Sequence, residues 1–269
     1  MFATTVRNEK NVLRKNVTAQ QQRDTVESDP FLYNLYCQSV ETVEHLWRVE
    51  DQSHNKQARV LEIGAAGGIT KIIRPEWLTL DVRNAEGVDF VISKSEPWPI
   101  LDKSIDVIFM QDVLHHVTDI SRLAQEIDRV LTDDGLVVCR EPYWSLFAQI
   151  VWRFFHPEDF SIRRVPKFLS GDLKLHPMEG NQAIAWLLCA PYMKFRGERS
   201  SLKVLTENFD VSRKHATNSI AFLLSGGSNF TTRVNRSFLL KLHEFEKRSN
   251  LWNQLFGFSF FFTLKKSNN

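Results

Sequence analysis

Cysteine is scarce in this chain, and neither sign of charge dominates. The three cysteines among 269 residues, Cys37, Cys139 and Cys189, are odd in number and widely spaced. That excludes a disulfide framework and a thiolate zinc site and suits a reducing compartment, so a cytoplasmic protein is expected. Lys and Arg total 34 against 32 for Asp and Glu, a net charge of +2. Such a balance gives no global field to attract nucleic acid or an anionic membrane, and basic pairs such as Arg163-Arg164 read as solvated faces. Long apolar runs are also missing. The most apolar run, Leu255 to Leu264 with five phenylalanines, has about half the length that a helix needs to cross a bilayer. It reads as a buried strand, and no stable membrane insertion is expected. The N-terminus lacks the apolar core of a signal peptide, and residues 1–29 read as a loose polar arm ahead of a single domain over 30–269.

What is present is a strand that runs into a glycine-rich turn, Val60-Leu61-Glu62-Ile63-Gly64-Ala65-Ala66-Gly67-Gly68. Glycine permits positive φ and close approach of a ligand to the backbone, so Gly64, Gly67 and Gly68 with Ala65 form a candidate cofactor loop. Asp81 ends the next apolar strand roughly 20 residues after Glu62, where a carboxylate can accept hydrogen bonds from ribose hydroxyls. The pattern is not that of a dinucleotide site. Ala66 stands where the second glycine of G-x-G-x-x-G is needed, and Glu62 would repel phosphate but suits a cationic amino group. The loop therefore points to S-adenosyl-L-methionine rather than NAD.

Around this loop the chain alternates. Strands are expected at 59–63, 77–81, 89–92, 105–110 and 135–140, with a helix over 120–131 started by Thr118 or Asp119. This alternation predicts a doubly wound, Rossmann-like, mostly parallel α/β sheet, with core 57–142. A helix is expected from Phe31 to Val49, where apolar residues recur at Leu32, Leu35, Tyr36, Val40, Val43 and Leu46. After Pro142 the pattern changes to an aromatic and Pro/Gly-punctuated helical or loop insertion over 143–205, a candidate substrate lid with a helix at 181–189. The remaining part, 206–269, reads as strands at 219–225 and 258–264 joined by a helix containing Leu239, Leu240, Leu242 and Phe245. An antiparallel edge strand closes the chain.

Four landmarks in this order resemble the class I S-adenosylmethionine-dependent methyltransferases, of the small bacterial type with an appended substrate region. They are Leu61-Glu62-Ile63-Gly64, Leu80-Asp81, the stretch from Pro99 to Asp106 that leads into Asp112-Val113-Leu114-His115-His116-Val117, and Arg129-Val130-Leu131 through Gly135 to Glu141-Pro142. Asn181 to Ile184 and Leu223 to Gly227 are similar to this subgroup as well. The resemblance implies a seven-stranded sheet with a final antiparallel strand, and the cofactor across the C-terminal ends of the first, second and fourth strands. It implies that Glu62 and the amides from Gly64 to Gly68 hold the methionine portion, that Asp81 with Val82 holds the ribose side, and that Gln111 and Asp112 lie near the sulfonium. One departure is Ile92-Ser93-Lys94-Ser95, where the family often has an Asp on the adenine amine. Either Ser93 and backbone groups replace that contact, or cofactor affinity is reduced.

Displacement at a sulfonium methyl depends mainly on alignment and exclusion of water, so a dedicated base is optional. An alcohol acceptor must still lose a proton, and histidine is the usual device. His115, His116 and His156 are the candidates, with His115 favoured, and Glu141 could orient a histidine or the acceptor or instead cap neighbouring amides. Asp112, His115, His116 and Glu141 have no metal-ligand spacing, so no metal is expected. Tyr143, Trp144, Phe147, Trp152, Phe154 and Phe155 could line an apolar acceptor pocket or pack as core. The acceptor class expected from the resemblance is a small molecule or glycan of cell-surface polysaccharide biosynthesis, methylated at oxygen. A non-catalytic cofactor- or partner-binding module on the same fold is the alternative.

Overall fold

The computed structural model describes residues 18–50, 57–93, 96–117, 119–143, 145–154, 209–217, 220–227 and 232–267. The expected lid beyond residue 154, its helix at 181–189 and His156 lie outside the described residues.

Seven strands form one sheet: β1 (Val60–Ile63), β2 (Leu78–Asp81), β3 (Phe90–Val91), β4 (Ile105–Gln111), β5 (Leu131–Pro142), β6 (Phe209–Thr217) and β7 (Ser259–Lys266). Their order is β3-β2-β1-β4-β5-β7-β6. The first five are parallel, as the alternation of strands and helices requires, and β7 runs antiparallel to both β5 and β6. The last strand in sequence is therefore not at the edge. It fills the slot beside β5, with Phe260 opposite Glu141 and Phe262 opposite Cys139, and β6 takes the edge.

The helices are α1 (Ala19–Ser28), α2 (Pro30–Glu50), α3 (Ile69–Ile73), α4 (Ile120–Val130), α5 (Leu146–Phe154), α6 (Ile220–Ser225), α7 (Arg236–Lys247) and α8 (Asn250–Phe256). Val40, Val43, Leu46 and Trp47 of α2 cover one sheet face, built from Val60, Val107, Phe109, Leu136, Val138 and Phe261. On the other face Ile120, Leu123, Ala124, Ile127 and Val130 of α4 pack on Leu61, Ile63, Ile108, Met110, Val137 and Cys139. Each such side chain contributes about 1.5–3 kcal/mol on leaving water. The apolar strands β1 and β4 are buried on both faces, so their residues show no polar alternation.

Two segments differ from the expectation. The loose arm is helical from Ala19: the Thr18 hydroxyl accepts from the Gln21 amide while the Gln21 side chain accepts from the Thr18 amide, a complete capping box. The strand expected at 219–225 is α6, whose first amides, Ile220 N and Ala221 N, donate to the Glu246 carboxylate at 3.0 and 3.3 Å. A short apolar run has no period of its own, and this distant acid selects the helix. Asp29 ties the N-terminal helices to the C-terminal ones, capping α2 through the amides of Phe31 and Leu32 and pairing with Arg236 at 2.6 Å.

Candidate functional site

The glycine loop leads from the C-terminal end of β1 into α3 and hydrogen-bonds across to the C-terminal end of β2. Gly64, Ala66 and Gly68 all have positive φ, and Ala66 at +51° is held there because its amide donates to Asp81 Oδ2 at 2.7 Å. Gly64 N donates to Leu80 O and Gly68 N to Ala65 O, both at 2.8 Å. These bonds correct one expectation: the amides of Gly64, Ala66 and Gly68 shape the loop instead of facing a ligand. A Cβ on Gly64 would stand 2.4 Å from Val113 Cγ2, and one on Gly67 would stand 2.5 Å from Ala19 O. The loop thus needs glycine for contact with protein on both sides. Helix α1 lies directly over it, and Arg23 Nη1 donates to Gly67 O at 3.2 Å.

Two buried carboxylates flank the loop. Glu62, 5 % exposed, is engaged by the Thr70 hydroxyl of α3. Burial, only partly offset by the Thr70 bond and reinforced by the nearby Asp81 charge, pushes the Glu62 carboxyl up to about 7. Asp81, also buried, accepts from Ala66 N and from Arg83 N at 2.8 Å, and the Arg83 guanidinium lies 3.3 Å from its Oδ1. Val82 beside it is exposed, and Ser93 is exposed just past β3.

At the end of β4, Gln111 and Asp112 carry the chain over the sheet edge, Asp112 with φ +56°. Its amide donates to Arg140 O at 2.8 Å. Tyr36 of α2 reaches this point. Its side chain is hydrogen-bonded to that of Gln111, and burial pushes the phenol up to about 12 against the opposing pull of Arg140. Glu62, Asp112 and Gln111 therefore converge with Tyr36 and Arg140 on one face of the sheet. The last two were not identified from sequence. Tyr36 was read only as part of an apolar helix stripe, and nothing in Cys139-Arg140-Glu141-Pro142 marks the arginine.

The histidine pair follows β4, as expected, in the turn over Leu114–His116. Glu141 is fully buried, and its Oε1 accepts from Val113 N at 2.9 Å and Leu114 N at 2.6 Å while Oε2 lies 2.7 Å from His115 Nδ1. His115 is 2 % exposed and its ring is tilted against that of His116, with centroids 4.1 Å apart. Glu141 both caps amides and orients a histidine, two of the readings the sequence left open, because a buried carboxylate is tolerated only with its oxygens satisfied. His115 is thus enclosed with its Nδ1 engaged by Glu141. His116 is less enclosed. Tyr143 packs on Phe260, and Phe147 on Phe256 and Phe258, so these two of the aromatic group pack against the core.

These features define a Rossmann-like α/β protein with a glycine loop and two buried acids, Glu62 and Asp81, gathered at the C-terminal ends of β1, β2 and β4. Glu62, with the Thr70 hydroxyl as its described side-chain partner, has capacity left for an ammonium. Residues 73–139 match the model of a methyltransferase domain. That match and the sheet order with its inserted antiparallel strand agree with the resemblance of the sequence to the class I S-adenosylmethionine-dependent methyltransferases. A comparison with curated protein sequences gives no match. Among solved structures, the PH0226 protein of Pyrococcus horikoshii OT3 is 10% identical, with 90% of this chain and 96% of that chain covered and a TM-score of 0.45. The YcgJ protein from Bacillus is 15% identical over 85% of this chain and 99% of that one, with a TM-score of 0.42. A SAM dependent methyltransferase from Archaeoglobus fulgidus is 16% identical over 84% and 94%, with a TM-score of 0.37. Among the described residues no helix is long and apolar enough to cross a membrane.

Proposed function

We propose that the protein transfers the methyl group of S-adenosyl-L-methionine to an oxygen of a small-molecule or glycan acceptor. The observation that carries this reading is the pair of buried acids at the ends of adjacent strands, Glu62 and Asp81, joined by the Gly64–Gly68 loop. Glu62 would take the amino group of the methionine portion and Asp81 the ribose hydroxyls, with Val82 against the base and Ser93 at its edge. Gln111 and Asp112 would flank the sulfonium end. When bound, the cofactor supplies an electrophilic methyl group.

The chain's own residues do the rest by holding and enclosing. Glu141 fixes the 113–115 turn, and this turn fixes Gly64 through Val113, so the two sides of the cradle keep one spacing. Helix α1 covers the loop and keeps water from it. Alignment of an oxygen nucleophile in a dry site provides most of the acceleration that such a displacement needs. His116 is the candidate to take the acceptor proton, with His115 behind it as its packing support.

Calorimetric titration of the folded protein with S-adenosylhomocysteine tests the reading without a known acceptor. Micromolar binding that Asp81→Ala abolishes supports it, and turnover of labelled cofactor with sugar and hydroxy-acid acceptors then separates an enzyme from a module that binds without turnover. A folded wild type that does not bind S-adenosylhomocysteine rules it out.

A further inference from the structure

The C-terminal edge of the sheet holds a buried cation whose hydrogen-bonding capacity is largely unused. Arg140, near the end of β5, is 6 % exposed. Its Nη1 lies 3.7 Å from Asp112 Oδ2, its Nη2 lies 3.4 Å from Ser259 Oγ, and its Nε is enclosed with no partner among the described residues. Other guanidiniums in this protein are treated differently. Arg59 holds both oxygens of Asp106 at 2.7 and 2.8 Å, and Arg129 reaches Asp102 at 2.6 Å and Glu126 at 2.7 Å. Both of these are the more exposed and the better bonded. A guanidinium presents five donors in a rigid fork matched to an oxyanion, and burying it without close acceptors is unfavourable unless a ligand completes it.

Its surroundings fit an acceptor subsite. Arg140 pairs with Gln111 across β4 and β5, and Gln111 Oε1 is a second enclosed polar atom with no partner among the described residues. A donor-rich guanidinium thus stands beside an unfilled oxygen, with Tyr36 of α2 over both. Strands are spaced by about 4.8 Å, so β5 stands about 10 Å from β1 and on the far side of β4 from the glycine loop. The cofactor cradle occupies β1, β2 and β4, and the next strand outward is where a nucleophile would approach the sulfonium. Nη1 gives the way in. The Asp112 side chain that faces it is 46% exposed and lies beyond hydrogen-bond distance, so it can yield its place to a ligand oxyanion.

We propose that Arg140 recognises the acceptor, and that the acceptor carries an oxyanion, a carboxylate or a phosphate, close to the oxygen that is methylated. Gln111 Oε1 accepts from the hydroxyl of the same molecule. The proposal rests on the methyl-transfer reading above.

The test is calorimetric titration of the full-length protein, saturated with S-adenosylhomocysteine at low ionic strength, with inorganic phosphate and separately with acetate. Wild type, Arg140→Gln and Arg140→Lys are compared, each first titrated with S-adenosylhomocysteine alone. The expected result is that at least one anion binds wild type, that Arg140→Gln weakens it tenfold or more, and that Arg140→Lys weakens it less. Affinity for S-adenosylhomocysteine stays within twofold throughout. Tighter phosphate than acetate assigns a phosphate-bearing acceptor, and the reverse order a carboxylate. Absence of anion binding to the loaded wild type, or equal binding by Arg140→Gln, overturns the proposal. So does a tenfold loss of S-adenosylhomocysteine in Arg140→Gln, since the guanidinium would then hold the cofactor. Should Arg140→Gln not fold, Arg140→Lys decides by the same comparison. Wild type that fails to bind S-adenosylhomocysteine removes the methyltransferase reading itself and this proposal with it, a result distinct from the other three.

Discussion

The two ends of the parallel sheet treat buried ionic groups in opposite ways. At the N-terminal end of the strands, Asp106 accepts from Arg59 N, Nε and Nη2 at 2.7–2.8 Å, a closed bidentate pair that locks β1 to β4. At the C-terminal end, Glu62 has a raised carboxyl and Arg140 an Nε without a partner among the described residues. A closed pair is part of the scaffold, and removing it should affect stability alone. An open group is poised for something that is not part of the chain, and removing it should affect binding. Glu141 shows that position alone does not decide: it stands at the same C-terminal end, next to Arg140, yet three groups of the 113–115 turn satisfy it.

The sharpest way to break this contrast is at Asp81. Hydrogen bonds to a charged group are worth about 1.5–3 kcal/mol each, and two to the ribose are at stake. Asp81→Ala should weaken S-adenosylhomocysteine at least 100-fold by calorimetry, and Asp81→Asn, which keeps the shape, by less. If both bind as wild type does, the open end is not the cofactor site.

Glu141→Ala tests the closed group at the open end. It strands two amides and an enclosed imidazole, so the loss of folding stability should be about 3 kcal/mol, read from urea unfolding. A loss under about 1 kcal/mol would mean that the 113–115 turn stands without its cap.

Glu62 tests the contrast through pH. A cationic amino group selects the ionised acid, whose carboxyl is raised from about 4.5 to about 7 in the ligand-free fold. Affinity for S-adenosylhomocysteine should therefore rise with pH up to about 7 and level off above it, falling roughly tenfold for each unit below. The sign for stability is opposite: between about 4.5 and 7 the folded form keeps a proton that the unfolded chain has lost. This carboxyl therefore favours the ligand-free fold more at pH 5 than at pH 8. Glu62→Gln should flatten both profiles. Affinity that is flat in pH for wild type would show that Glu62 does not meet the amino group.

The same contrast explains what the sequence disclosed. The glycine turn, the acids at the ends of β1 and β2, and the parallel order of β1 to β5 were legible because each leaves a local mark: positive-φ residues, an acid after an apolar run, alternating elements. Strand β6 was not, since Asp210, Ser212 and Arg213 break its apolar pattern and its pairing partner β7 lies some 50 residues on. Helix α6 was misread because Glu246 caps it from a distance. The site was legible where one strand end makes it and hidden where several meet. Tyr36 and Arg140 come together only because α2 crosses β4 and β5, and the closure of Glu141 on His115 depends on the turn after β4.

The smallest expected effect is at the opposite end of the sheet, and its smallness is the point. Arg59 is half exposed, so water and salt screen its pair with Asp106, and exposed pairs contribute about 0–1 kcal/mol. Asp106 also caps the Arg59 amide, which adds about 1 kcal/mol. Asp106→Asn keeps an acceptor for that amide and should cost about 1 kcal/mol of stability, less at high salt, while S-adenosylhomocysteine affinity stays within twofold. A change in affinity as large as the change at Glu62 would mean that the two ends of the sheet are coupled, and that a closed ion pair here is not a purely structural one.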